Sequence, residues 1–356
     1  MSASHHRWFA GLERHRFTIL ASLFFSACDT PSKDVDPNDL KGVFEKPQPS
    51  GSAALASGSA SASASGAASP PPQERDRETG CVADKGSPIV DVKRTVGRPA
   101  CRSAEILEWR DSAGSPRYGC LYTPPDVEKR SPLPVIVYFH GSEPGLDDPS
   151  SLSKVTSLRQ KQAQTDMTRD PAHTGFVILG VQGRALLPGN VGATFDLQHV
   201  SRQNLDVAAT DHFVDELEER GIADKKRIYA AGTGRGGAMA VNYAMIRADR
   251  VAAVAAFAPE PPAAVWSCAG PPPPAVVYYR ACDRVVGCDV VEDWLGLRSQ
   301  SGSDTKAVRL GDDGHAETNC TPKNNCSEKK GLANHARWPK TREKELLEAL
   351  ARHSLK

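Results

Sequence analysis

Four short stretches hold side chains that could do covalent or acid–base chemistry, and each follows an apolar run. Phe139-His140-Gly141-Ser142 is a glycine turn carrying a histidine and a hydroxyl. Ala231-Gly232-Thr233-Gly234-Arg235-Gly236-Gly237 is a glycine-rich elbow. Arg280-Ala281-Cys282-Asp283 offers a carboxylate, and Leu310-Gly311-Asp312-Asp313-Gly314-His315 offers an imidazole. An elbow, then an acid, then a histidine is a chain order of nucleophile, acid and base in acyl transfer. In this order Asp283 orients the imidazole and His315 is the base. Asp283 could instead cap the following helix or pair with Arg284. His335, in Asn334-His335-Ala336-Arg337-Trp338-Pro339, competes with His315 as base. Glu260 is an alternative acid, although Pro259, Pro261 and Pro262 around it suggest a rigid turn.

Such residues need a rigid frame, and hydrophobic periodicity supplies one. Glu105 to Trp109 alternates polar and apolar residues, Asp111-Ser112-Ala113-Gly114 turns the chain, and Arg117 to Tyr122 returns as a hairpin mate. Continuous apolar runs at Pro134–Phe139, Gly175–Val181, Arg227–Ala231, Val251–Phe257 and Ala275–Tyr279 fit strands covered on both faces. A shorter strand is expected over Lys306–Leu310. Helices are expected over Asn204–Arg220, Gly236–Arg247, Asp289–Leu297 and Arg342–His353, the first burying Leu205, Ala208, Ala209, Phe213 and Leu217. A hairpin followed by strand–helix alternation implies an α/β fold, mostly parallel, with helices on both faces. Ligands then bind beyond the C-terminal ends of the strands, where the four stretches lie.

From about Arg117 to His353 the chain resembles secreted α/β-hydrolase esterases of the polyhydroxybutyrate depolymerase and feruloyl esterase type. Leu133-Pro134-Val135 leading into His140-Gly141 is similar to that family's strand and oxyanion turn. Asp224 to Arg227, Ile228 to Ala231, Gly236-Gly237-Ala238-Met239-Ala240 and Arg250-Val251-Ala252-Ala253-Val254 resemble its elbow region, and Asp283-Arg284-Val285-Val286 its acid loop. The resemblance implies an α/β-hydrolase fold and carboxylic-ester chemistry. It also supports His335, because related esterases often place Trp-Pro just after the base; on chain order His315 is preferred.

One departure outweighs the matches. The family carries G-x-S-x-G at the elbow, and here the nucleophile position is Gly234. Glycine has no side chain to attack with. Thr233 should leave the turn in another direction, Ser142 lies in the oxyanion turn, and Cys282 is better read as oxidised. The elbow conformation costs a non-glycine residue roughly 1–3 kcal/mol, and glycine relieves that strain. The expectation is therefore an impaired hydrolase acting as a binding or scaffold protein for an ester, polymer or carbohydrate-linked ligand. The alternative is an ester hydrolase in which Asp283, His315 and an activated water act, or a nucleophile not yet identified.

Gly232 to Gly237 also fits G-x-G-x-x-G, with Glu260 ending the next strand, which raises a remote dinucleotide-binding alternative. More simply, a helix N-terminus plus Arg235 could hold an anion. No cofactor or metal is expected.

Lys+Arg 44 against Asp+Glu 43 in 356 residues leaves a net charge of +1 and no basic footprint for nucleic acid. Arg7, Arg14 and Arg16 precede an apolar run from Phe17 to Ala27, which ends at Cys28. This reads as a signal over residues 1–28, and Phe25-Ser26-Ala27-Cys28 resembles a bacterial lipobox with Cys28 lipidated. Residues 29–80, rich in Ser, Ala and Pro, read as a disordered tether to an α/β-hydrolase domain over 81–356. A lipid-anchored protein of the bacterial cell envelope, periplasmic or surface-exposed, is expected. Beyond Cys28, eight cysteines remain: Cys81, Cys101, Cys120, Cys268, Cys282, Cys288, Cys320 and Cys326. An even number in an exported domain suggests disulfides. Pairing within Cys282/Cys288 and Cys320/Cys326 and pairing across these loops are equally open.

Overall fold

The hairpin forms as read. Strand β1 (Glu105–Arg110) and strand β2 (Pro116–Tyr122) pair antiparallel around a turn in which Asp111 Oδ1 accepts from the N–H groups of Ala113 and Ser115. The structure, a computed structural model, describes residues 73–75, 81–83, 96–143, 145–186, 192–262, 266–268 and 270–356. The signal and Cys28 lie outside these residues, as does the tether apart from Gln73–Arg75. That short stretch departs from the disordered reading: it pairs in parallel with His353–Leu355, which gives the last residues of the chain main-chain partners.

Six further strands follow: β3 (Leu133–Phe139), β4 (Val177–Val181), β5 (Ala223–Thr233), β6 (Val251–Phe257), β7 (Ala275–Arg280) and β8 (Thr305–Leu310). Their order across the sheet is β1-β2-β4-β3-β5-β6-β7-β8. β2 runs antiparallel to β4, and every later pairing is parallel. Side chains alternate across a strand, so each central strand feeds two cores. On β3, Val135, Val137 and Phe139 enter one hydrophobic cluster, while Ile136 and Tyr138 enter the other.

The first cluster is covered by α1 (Leu205–Glu219), α2 (Arg235–Ile246) and α3 (Cys288–Gln300). The second is covered by α5 (Glu343–Ala351) through Leu346, Leu347 and Leu350, together with Leu152, Val155 and Leu158. Helix α4 (Glu328–His335) has no counterpart in the sequence reading, because it buries only Gly331, Asn334 and His335. Helix α1 buries Val207, Phe213, Val214 and Leu217, whereas Leu205 and Ala208 are only half-buried. Its face is rotated because Asp206 turns inward, accepting from Arg184 Nε at 2.9 Å and from the Asp196 N–H at 2.8 Å. This sheet order, with its leading hairpin and helices on both faces, is an α/β-hydrolase fold.

The disulfides are Cys81–Cys268, Cys101–Cys120, Cys282–Cys326 and Cys288–Cys320. Pairing thus crosses between the two late loops. Both crosslinks join the segment after β7 to the segment before α4. Among the described residues no helix is long and apolar enough to cross a membrane.

Candidate active site

Strand β5 runs into α2 through Gly234, which sits at φ 54° and ψ −124°. Its N–H donates to Phe257 O at 2.9 Å on the neighbouring strand, and its carbonyl accepts from Ala238 within α2. A positive φ is costly for any residue with a Cβ, so glycine holds this elbow without strain. The flanking glycines serve a different need. A Cβ on Gly232 would overlap the Gly236 carbonyl, and one on Gly236 would overlap the carbonyls of Phe139 and His140. The turn is packed against itself and against the end of β3, which accounts for the glycine spacing without a bound pyrophosphate.

A Cβ built on Gly234 would stand 3.1 Å from His335 Nε2 and 3.1 Å from Glu143 Oε1. The elbow therefore aims at His335, the last residue of α4. His335 Nδ1 lies 2.9 Å from Asp283 Oδ2, and Asp283 Oδ1 accepts from the N–H groups of Val285 at 2.8 Å and Val286 at 3.0 Å. Asp283 does not cap the following helix, which begins at Cys288 behind Gly287; one carboxylate oxygen holds the local turn and the other faces the histidine. Asn334, next in chain to His335, donates to Cys282 O at 2.9 Å and to Asp312 Oδ1 at 2.7 Å, fixing the end of α4 against the acid loop.

The preference for His315 is corrected by this geometry. His315 is exposed on a tight turn in which its N–H donates to Asp313 Oδ1 and its carbonyl accepts from Gly311 N–H. It makes no contact with Asp283. Trp338-Pro339 was the sequence signal for the histidine that the structure sets beside Asp283.

Glu143 was not anticipated. It follows Gly141 and Ser142 in the turn after β3, and its Oε1 lies 3.0 Å from His335 Nε2. A Cβ on Gly141 would overlap Glu143 Oε2, so the carboxylate folds back over the turn that carries it. Burial works against the carboxylate charge, but the bond to His335 and the main-chain N–H groups of Glu143 and Ser142 outweigh it and lower the Glu143 pKa. Of the two residues proposed for the oxyanion turn, Ser142 thus has its N–H beside a carboxylate of the chain itself. An acid two residues beyond an oxyanion-type glycine was the available signal.

Burial likewise disfavours a charged His335, whose side chain is 2% exposed. The bonds to Asp283 and Glu143 overcome that penalty and raise its pKa to about 9. At neutral pH the ring is then an imidazolium donating from both nitrogens, with no lone pair to accept a proton. His140 is the opposite case. Burial pushes its pKa down, and its partners assign the neutral ring: Nδ1–H donates to Gly141 O at 2.6 Å and Nε2 accepts from Gly183 N–H at 3.0 Å. It braces the turn.

Arg235 is not free to receive an anion. Its Nε donates to Thr194 Oγ1 at 2.9 Å and its Nη1 to Glu260 Oε2 at 3.0 Å. The same pair removes Glu260 from consideration as the acid and as a ribose ligand. Cys282 is bonded to Cys326 and offers no thiol. Cys288, Glu292 and Cys320 come together at ligand distance, but the two cysteines are joined to each other.

No protein-family model matches this chain. No curated protein matches it in sequence. Among solved structures it is similar to a thermostable esterase at 17% identity and TM-score 0.48, covering 71% of this chain and 63% of that one. The chain thus spans less than two thirds of that protein. It is also similar to a thermophilic esterase of the Planctomycetes species Thermogutta terrifontis, at 16% identity and TM-score 0.47, covering 71% of this chain and 95% of that one. The same esterase phosphoramylated by tabun aligns at 16% identity and TM-score 0.48, over 70% of this chain and 93% of that one. Likeness at this level concerns the fold alone, which the strand order establishes independently.

Proposed function

We propose that this chain is an exported, carboxylesterase-related protein that has given up acyl transfer and works by binding. The observation that carries the proposal is the contact between His335 Nε2 and Glu143 Oε1 at the elbow of Gly234. No hydroxyl stands at position 234, the base is held as an imidazolium, and a carboxylate lies against the Ser142 N–H of the oxyanion turn. Each change alone impairs ester hydrolysis, and together they leave none of the three catalytic operations available. Water activated by His315 would need an orienting contact with Asp283, and His315 does not approach it. The ligand envisaged is an ester, or a polymer- or carbohydrate-linked molecule, held beyond the strand ends.

Export is supported by the charged and apolar leader ending at Cys28 and by four disulfides, which persist in oxidising compartments. Lipidation of Cys28 would anchor the protein to a membrane of the bacterial cell envelope.

The test is hydrolysis of short-chain p-nitrophenyl esters by the purified full-length protein beside His335→Ala. The expected result is no turnover above buffer in either. Enzyme-like turnover by the parent, abolished by His335→Ala, would overturn the proposal.

A further inference from the structure

A second feature lies beside this site, at the C-terminal ends of β7 and β8. A cleft of about 510 Å³ is lined by the residues that follow His335, by Leu146 and Val155, and by four cations: Lys154, Arg280, Arg337 and Lys340. Leu146 links the two places, since its Cβ would lie 3.6 Å from a Cβ on Gly141.

The bonds these cations make within the protein go to main-chain atoms. Arg280 Nη1 donates to Gly311 O at 2.6 Å and its Nη2 to Arg337 O at 3.0 Å. Arg337 Nη1 donates to Asp312 O, and Lys340 Nζ to Lys154 O. Each of these bonds ends on a main-chain carbonyl, and among the described residues none of the four cations pairs with a carboxylate. Of the two acids in the cleft wall, Asp312 is engaged by Lys330 and Asn334, while Asp313 Oδ1 accepts from a main-chain N–H.

Arg280 makes the imbalance acute. It is 2% exposed, and its buried Nε–H has no partner. Asp312, Asp313 and Asp283 act on it only through space, and a buried cation with an unmet donor and no carboxylate in contact is unfavourable. An incoming anion would supply that charge, and a carboxylate matches guanidinium donors in plane and spacing. The other wall, Leu146, Val155 and Trp338, is apolar and suits the body of an organic acid rather than an inorganic ion.

We infer that this cleft binds an organic carboxylate, its head among Arg280, Arg337, Lys340 and Lys154 and its apolar body against Leu146, Val155 and Trp338. The inference names a ligand class for the binding role proposed above and rests on that reading for its biological sense only.

The test is calorimetric titration of the full-length protein with 4-phenylbutyrate and with its uncharged amide. The acid is expected to bind at least ~10-fold more tightly than the amide, as a desolvated charge contact requires. Arg337→Gln/Lys340→Gln, two exposed positions, is expected to weaken the acid by a similar factor, leaving the amide and the thermal midpoint unchanged. Equal binding of acid and amide, unaltered acid binding by the double variant, or no binding of the acid would overturn the inference. Displacement of 4-phenylbutyrate by inorganic phosphate at equal concentration would also overturn it, in favour of a phosphate site. The p-nitrophenyl assay separates the two proposals. Turnover by the parent defeats the non-catalytic reading whatever the titration gives, and a failed titration defeats the cleft with that reading intact.

Discussion

The Asp283–His335 side and the elbow side of this site are built in opposite ways. On the first, Asp283 and His335 keep a 2.9 Å contact between segments 52 residues apart in sequence. Two disulfides and the bonds of Asn334 brace that contact. On the second, the elbow turns sharply at Gly234 with no side chain at its apex. Backbone geometry and side-chain chemistry are thus separable: the packing of Gly232 and Gly236 preserves the turn, and nothing in that packing requires a serine at Gly234. Glu143 joins the two sides, its Oε1 lying 3.0 Å from His335 Nε2 and beside Gly234, so that His335 sits between two carboxylates.

The sharpest way to break this comparison is to restore the nucleophile with and without the plug. Gly234→Ser alone should stay nearly silent toward p-nitrophenyl esters, because Glu143 Oε1 crowds the new Cβ and keeps His335 charged. Gly234→Ser/Glu143→Ala should exceed it by roughly 10²–10⁴-fold, the usual worth of a working general base. Equal rates in the two variants would show that Glu143 is not the obstacle.

Removing His335 tests whether the cluster now serves stability. His335→Ala strands two carboxylates, one of them the 2%-exposed Asp283 side chain, and should cost about 3–5 kcal/mol in urea unfolding. A loss under 1 kcal/mol would mean the acid–base side is merely tolerated.

The pH dependence follows in sign from the raised pKa of His335. Its ordinary value is 6.5 and its folded value about 9, so the stabilisation is fully present below 6.5 and disappears as pH climbs through 9. The loss relative to His335→Gln should be on the order of 3 kcal/mol. An NMR titration in which the ring deprotonates near 6.5 would refute it. Glu143 acts at the other end, its contribution declining as acid protonates a carboxylate whose pKa is lowered.

Gly234→Ala, measured for stability alone, should cost roughly 1–3 kcal/mol through positive φ, against little change for Ala at an exposed glycine with negative φ. The smallest effect belongs to His315. His315→Ala should alter unfolding free energy by no more than about 0.5 kcal/mol, since the residue is exposed and its turn is held by main-chain atoms. A larger loss would reopen its candidacy.

Periodicity carried the frame well. All eight strands of the main sheet are visible as apolar or alternating runs, and the elbow glycines show their role through spacing. What periodicity misses is structure without an apolar stripe. Glu328–His335 buries a glycine, an asparagine and a histidine, so the helix that delivers the base has no hydrophobic signature. Position just past a strand favoured His315, but both histidines follow β8 and only three-dimensional closure of the late loops sets His335 beside Asp283. Glu143 and the four cations of the cleft looked like ordinary surface charges. Their meaning lies in what is absent around them, a free base in one case and a counter-ion in the other, and such absences are properties of space rather than of sequence.

The short parallel pairing of Gln73–Arg75 with His353–Leu355 gives the domain a polarity. His353 lies by Asp304, just before β8 begins, so entry and exit of the described domain share the pole where the parallel strands start. The elbow, the imidazolium and the cationic cleft occupy the pole where those strands end. A label placed on His353–Leu355, at the pole opposite the cleft, should therefore leave the cleft unobstructed.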